Sequence, residues 1–170
     1  MNILFVDGYN MIGAWDFLNS IKQENLELAR VRLIEMLAEY QSFTNIKIIV
    51  VFDAFYVKGI EKKYSDYKLE IVFTRENETA DQYIEKTVKS LISRRNKVWV
   101  ATNDSQEQWQ IFAQGALRKS ANELLREIND VKTIIKEKVK NTVEERPINK
   151  IQIPPDLKDI MEKMRRGNKT

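Results

Sequence analysis

The chain contains no cysteine and no histidine. The first absence excludes disulfides, thiolate nucleophiles and cysteine-ligated metal. The second removes the side chain most used for proton transfer near neutral pH. Any catalysis therefore falls chiefly to carboxylates, and holding a metal is the simplest way for them to do it. Proline is scarce: Pro147, Pro154 and Pro155 are the only three, and they mark an extended linker near the C-terminal end. No run of about 18 apolar residues exists, so no membrane span is expected. The apolar stretch at the N-terminus lacks a basic flank and a small-residue cleavage site, so it reads as a first strand and not as a signal peptide. The absence of cysteine fits a reducing cytoplasm, which is the expected location.

What is present suits a globular domain. The 170 residues are 43% hydrophobic and 31% charged, enough to bury a sizeable core. The net charge of +3 is unevenly spread. Residues 1–117 carry 14 Lys/Arg against 16 Asp/Glu, whereas 118–170 carry 14 against 9. The basic second part hints at a polyanionic partner, although a solvated charged helix accounts for it equally.

Strand and helix patterns alternate. Residues 2–6 and 46–52 are continuous apolar runs, as in strands buried on both faces of a parallel sheet. Leu26, Ala29, Leu33, Leu37 and Tyr40 recur at helical spacing and predict a helix over about 25–42. Residues 57–67 read as a polar, basic loop and 69–73 as a third strand. Thr79 and Gln82 have capping-box spacing and open a helix with Ala80, Ile84, Val88, Leu91 and Ile92 on one face. A fourth strand is expected at 98–101. Ser120 and Glu123 cap a long helix striped by Ala121, Leu124, Ile128, Val131, Ile135 and Val139. A short segment around 105–114 precedes it, and a short helix over about 156–166 follows the linker. The fold class is α/β, a layered sandwich with a mainly parallel sheet and right-handed crossovers. The expected division is a domain over 1–146 and a basic extension over 147–170.

In such sheets ligands bind beyond the carboxyl ends of the strands, and several acids fall there. Asp7 follows the first strand, Asp53 the second and Asp104 the fourth. Asp81 lies in the first turn of the helix after the third strand, with Glu78 three residues before it. Singly, each has an ordinary explanation as a turn or cap residue. Together they repel one another and are driven towards protonation unless a cation compensates. Oxygen ligands without histidine or cysteine suit Mg²⁺ or Mn²⁺, and such an ion supports phosphodiester hydrolysis. Gly8 is expected to let the backbone turn sharply after Asp7. Asn10, Thr102, Asn103 and Ser105 are placed to orient a water or the substrate phosphate, or simply to make turns.

Four ordered motifs now stand out: Val6-Asp7-Gly8-Tyr9-Asn10, Phe52-Asp53-Ala54, Glu78-Thr79-Ala80-Asp81 and Thr102-Asn103-Asp104-Ser105. This set resembles the NYN-domain ribonucleases of PIN-like fold, and most closely their YacP-type branch. Gly115-Ala116-Leu117-Arg118 and Ser120-Ala121 extend the resemblance over essentially the whole chain. It implies a three-layer α/β/α fold with about five strands and a metal-dependent endoribonuclease. By that resemblance Asp7, Asp81 and Asp104 hold the metal, with Asn10 nearby. The branch includes a bacterial nuclease that cuts messenger RNA on the translating ribosome, entering near the A site. The implied partners are therefore mRNA and ribosomal RNA, with the protein a monomer or weak dimer. Asn103 departs from the Ser more usual in its motif, but both are small hydrogen-bonding residues.

Cations for RNA are expected from Lys58, Lys62 and Lys63 in the basic loop, from Arg75, and from Arg118 and Lys119; Lys163, Arg165 and Arg166 add charge in the tail. Tyr9 and Trp15 would either stack on bases or close over the core. Two rivals remain. One is a non-catalytic ribosome- or RNA-binding module that keeps the fold. The other is a phosphatase using Asp7 as nucleophile, which commonly needs a second acid two residues on, where this chain has Tyr9.

Overall fold

The architecture follows from the side-chain parity of one strand. In the computed structural model, which describes residues 1–54, 68–93, 95–104 and 115–145, β1 (Asn2–Asp7) is the central strand. It pairs with β2 (Lys47–Phe52) on one side and β4 (Lys97–Ala101) on the other, both parallel. Outside these lie β3 (Glu70–Phe73) and β5 (Leu117–Lys119), again parallel, giving the order β3-β2-β1-β4-β5. Successive residues of a strand face opposite sides. Ile3 and Phe5 accordingly join Ile49, Val51, Val98 and Val100 under α4 (Ala80–Leu91) through Ala80, Ile84 and Val88. Leu4 and Val6 join Ile48, Val50 and Phe52 on the other face. That face is covered by α1 (Gly8–Ala14), α2 (Asp16–Glu24), α3 (Leu26–Thr44) and α5 (Ala121–Glu145). The result is the expected three-layer α/β/α sandwich with a five-stranded parallel sheet.

Local signals set the helix ends. Asn25 caps α3 through Leu28 N–H, and α3 ends at Asn45 in the left-handed conformation. The Thr79–Gln82 capping box forms at α4 as expected. At α5 the Ser120 and Glu123 side chains each accept from the other's backbone N–H. Ala121, Leu124, Ile128 and Val131 of the α5 stripe are buried, whereas Val139 is exposed. Residues Met1–Ile135 form one compact unit; Lys136–Thr170 form a second, whose described part is the continuation of α5. The expected boundary at 146/147, the loop at 57–67, the segment at 105–114 and the short helix at 156–166 lie outside the described residues.

Two features correct the expectations. Residues 8–24 form two helices that the apolar pattern did not announce, joined at Trp15. Trp15 is not a base-stacking residue: it is 1% exposed, and its indole Nε1 donates to Ala121 O at 2.9 Å. A buried indole N–H needs such a partner, and this one ties the α1–α2 corner to the start of α5. Gly8 is also needed for a different reason than a turn. It is the first residue of α1, and a Cβ there would lie inside the van der Waals shell of the Phe52 ring. That ring is fully buried, with Tyr9 edge-on at 5.1 Å and Phe73 stacked at 5.6 Å, so it has nowhere to move. Gly8→Ala is expected to destabilise the protein by about 1–3 kcal/mol, as overpacking does. Urea denaturation of the variant checks this; an unchanged midpoint would show that the ring yields freely.

Candidate active site

The strand order places a topological switch beside β1. The chain leaves β1 for β2 and β3 on one side, then returns for β4 on the other. Open parallel sheets bind ligands in the crevice that forms there at the carboxyl edge. Asp7 ends β1 at this point and is 8% exposed. Its side chain caps α1, with Oδ1 accepting from Asn10 N–H at 3.0 Å. The Asn10 side chain then spans the crevice: its Oδ1 accepts from Asn103 N–H at 2.8 Å. Asn10 thereby links the end of β1 to the segment leaving β4.

The same parity that builds the core gathers the acids. Asp7 continues the Ile3, Phe5 side of β1, and Asp53 continues the Ile49, Val51 side of β2, so both face α4. Asp53 Oδ1 accepts from Ala80 N–H at 2.7 Å, holding the first turn of α4 over the end of β2. Asp81 is the next residue of that turn, where a negative charge complements the helix dipole. Its carboxyl lies within interaction range of that of Asp7 and raises the Asp7 pKa. Thr74 supports the neighbouring strand end, its Oγ1 accepting from Ala54 N–H at 3.1 Å.

Burial pushes the Asp7 carboxyl up from 3.8 to about 7. The Asn10 N–H opposes the shift by favouring the ionised form, whereas the Asp81 and Asp53 charges and the hydrogen bond to Asp81 reinforce it. Carboxyl groups this close repel when both are ionised, and a cation between them would relieve that repulsion. Among the described residues, no group of three or more acids is arranged to hold a metal ion. The Asp7–Asp81 pair nevertheless suits Mg²⁺, which keeps several waters and commonly takes one or two carboxylates together with substrate phosphates.

The other expected site residues are placed as follows. Asp104 is exposed at the end of the segment following β4, and its N–H donates to Thr102 Oγ1 at 3.1 Å. Thr102 itself is fully buried. Glu78 is half-buried, with its N–H on Arg75 O at 3.0 Å. Arg75 and Arg118 are exposed. Lys119 is drawn inward: its side chain is 14% exposed and its Nζ lies 2.6 Å from Glu127 Oε2. Glu127 also accepts from Tyr40 OH at 2.5 Å. The Lys119 charge thus serves an internal network joining β5, α5 and α3. Lys58, Lys62, Lys63, Ser105 and the cationic tail lie outside the described residues. Tyr9 does not supply a second acid beside Asp7; its hydroxyl accepts from Arg30 NH1 at 2.8 Å. Arg30 was missed in the sequence. Its signal is a cation on the apolar face of α3, spaced with Leu33, Ile34 and Leu37.

A parallel α/β/α sheet with acids gathered at its switch point is a nuclease-type arrangement. The chain belongs to the family described as "YacP-like NYN domain", which matches residues 4–166. It is 50% identical over 168 residues to the "Uncharacterized protein YacP" of Bacillus subtilis (strain 168), covering 99% of each chain. The crystal structure of Rae1 (YacP) from Bacillus subtilis matches with a TM-score of 0.78 at 50% identity, over 98% of this chain and 96% of that one. A point mutant of Rae1 matches with a TM-score of 0.76 at 48% identity, over 86% of each chain.

Because the folded Asp7 holds its proton to about pH 7, the contribution of this group to native stability is fully present below its ordinary value of 3.8 and is lost as pH rises from there through 7. Asp7→Asn keeps a capping side chain but never ionises. Without divalent cations it is expected to gain on the wild type between pH 4 and 7, reaching a few kcal/mol by pH 8. Urea denaturation at pH 4.5 and pH 8 measures the gap; a gap independent of pH contradicts the burial argument.

Proposed function

We propose that this protein is a metal-dependent endoribonuclease that hydrolyses phosphodiester bonds of mRNA in association with the translating ribosome. One observation carries the chemistry: Asp7, buried at the carboxyl end of the central strand, meets the charge of Asp81 from the first turn of α4. A divalent cation between these groups, Mg²⁺ or Mn²⁺, would supply an electrophile for the phosphoryl oxygen and a means of activating water. Asp7 and Asp81 would hold it, with Asp104 approaching from the opposite side of the crevice and Asp53 contributing negative charge. Asn10 keeps Asp7 in place through its backbone N–H and fixes the width of the crevice through its side chain. Arg75 and Arg118, both exposed, offer phosphate contacts. The ribosomal and A-site part of the proposal rests on the family resemblance and on the excess of Lys/Arg after residue 117. It implies a cytoplasmic protein, working as a monomer or weak dimer; no described helix is long and apolar enough to cross a membrane.

A non-catalytic RNA-binding module is the second reading. It is favoured by the absence, among the described residues, of a three-acid group arranged around one point. Cleavage of ribosome-bound and free mRNA, with and without Mg²⁺ or Mn²⁺, separates the two. Replacing an outer-shell partner of a metal typically lowers affinity or activity by roughly 10–100-fold. Asp7→Asn and Asp81→Asn, which remove direct ligands, are expected to lose at least that much cleavage. Equal cleavage by all three proteins sinks the metal-site proposal. Ribosome association without Mg²⁺ binding in calorimetry selects the module.

A further inference from the structure

Arg30 is a buried cation with no matching anion among the described residues. It is 4% exposed, and among the described residues its Nε has no hydrogen-bond partner. On α3, Ala29, Leu33, Ile34 and Leu37 around it are fully buried, and the half-buried Glu27 one turn before is not paired with it. Among the described residues no carboxylate pairs with it; its hydrogen bond goes to a neutral group, the Tyr9 hydroxyl. A guanidinium that serves only to hold a fold is normally matched by a carboxylate or by several carbonyl oxygens, because burying an unpaired charge is strongly unfavourable. A buried donor left open therefore calls for a function.

Its location says which one. Tyr9 is two residues from Asp7, on the first turn of α1, and its ring lies edge-on to Phe52. Arg30 is on the second turn of α3, the helix that runs back along the sheet to enter β2. Its bond to Tyr9 brings it to the carboxyl edge of the sheet, under the same turn that carries Asp7 and Asn10. An acidic crevice repels a nucleic-acid strand, so a strand crossing it needs a cation beside the acids to hold its backbone. The planar guanidinium fork suits two phosphate oxygens at once.

We propose that Arg30 and the Tyr9 hydroxyl form an anion subsite that takes a backbone phosphate of the RNA strand next to the one at Asp7. The inference rests on the nuclease reading for its ligand. Arg30 supplies the charge, and Tyr9 orients the fork by accepting from NH1. The strand phosphate provides an anion that the described residues do not.

The test compares the wild type with Arg30→Met, Arg30→Lys and Tyr9→Phe in the absence of divalent cations, so that RNA stays whole. Two readouts are taken: the salt dependence of binding to a short single-stranded RNA, and the melting temperature in increasing inorganic phosphate. Arg30→Met is expected to bind RNA roughly tenfold more weakly. It should also flatten the slope of log K against log salt by about 0.7, one phosphate contact on a single strand. Its melting temperature without phosphate is expected to match or exceed the wild type, and phosphate should no longer raise it. A purely structural arginine would instead lower the melting temperature and leave the salt slope untouched, which overturns the subsite. If Arg30→Met fails to fold, the other two variants decide: Arg30→Lys is expected to keep a reduced phosphate response, and Tyr9→Phe to weaken it. Wild-type responses from both overturn the proposal. If no protein binds RNA while phosphate still stabilises the wild type and not Arg30→Met, the nuclease reading falls and the anion subsite stands.

Discussion

The site depends on one constraint: a carboxyl group is buried at the end of the central strand, against the charge of another. Asp7 is in the sheet by backbone and in the crevice by side chain, and 8% of it is exposed. Leaving an acid there weakens the apo fold above neutral pH, because burial and the neighbouring acids penalise the ionised form. The surrounding structure holds it nonetheless. Gly8 lets α1 start against Phe52, Asn10 N–H caps the carboxylate, and Asp53 fixes α4 so that Asp81 meets it. On the proposed reading, such an arrangement gives up stability for a place that would accept a cation.

Much of this was legible because strand periodicity is simple. Apolar runs at 2–6 and 46–52 identified two buried parallel strands, and the order of elements implied acids along one edge. The alternation of side chains then decides which acids meet. Asp7 and Asp53 share the α4 face with Ile3, Phe5, Ile49 and Val51, so they approach Asp81 without any long-range accident. Capping chemistry was equally direct at Thr79–Gln82 and Ser120–Glu123.

What was not legible depends on tertiary partners. Residues 8–24 fold as two short helices because Trp15 finds Ala121 O, 106 residues away, and no local pattern reveals that. Lys119 looked like a free cation in a basic stretch, but Glu127 on the following helix draws it inward. Arg30 interrupts the apolar face of α3, and a single charge in a helical stripe carries no local sign of a special role. Its meaning emerges only when Tyr9, from the first motif, is found bonded to it. The glycine after Asp7 was noticed for the wrong reason: it provides space for a ring, and not a special backbone angle.

The most direct measurement is the titration of the Asp7 carboxyl by carbon-detected NMR, with and without Mg²⁺. An acid buried beside Asp81 and Asp53 should titrate near pH 7 alone. With saturating Mg²⁺ its midpoint should fall by more than about one pH unit, as a neighbouring cation favours the charged form. A midpoint near that of an ordinary aspartate without the metal, or one that Mg²⁺ leaves unmoved, contradicts the central claim.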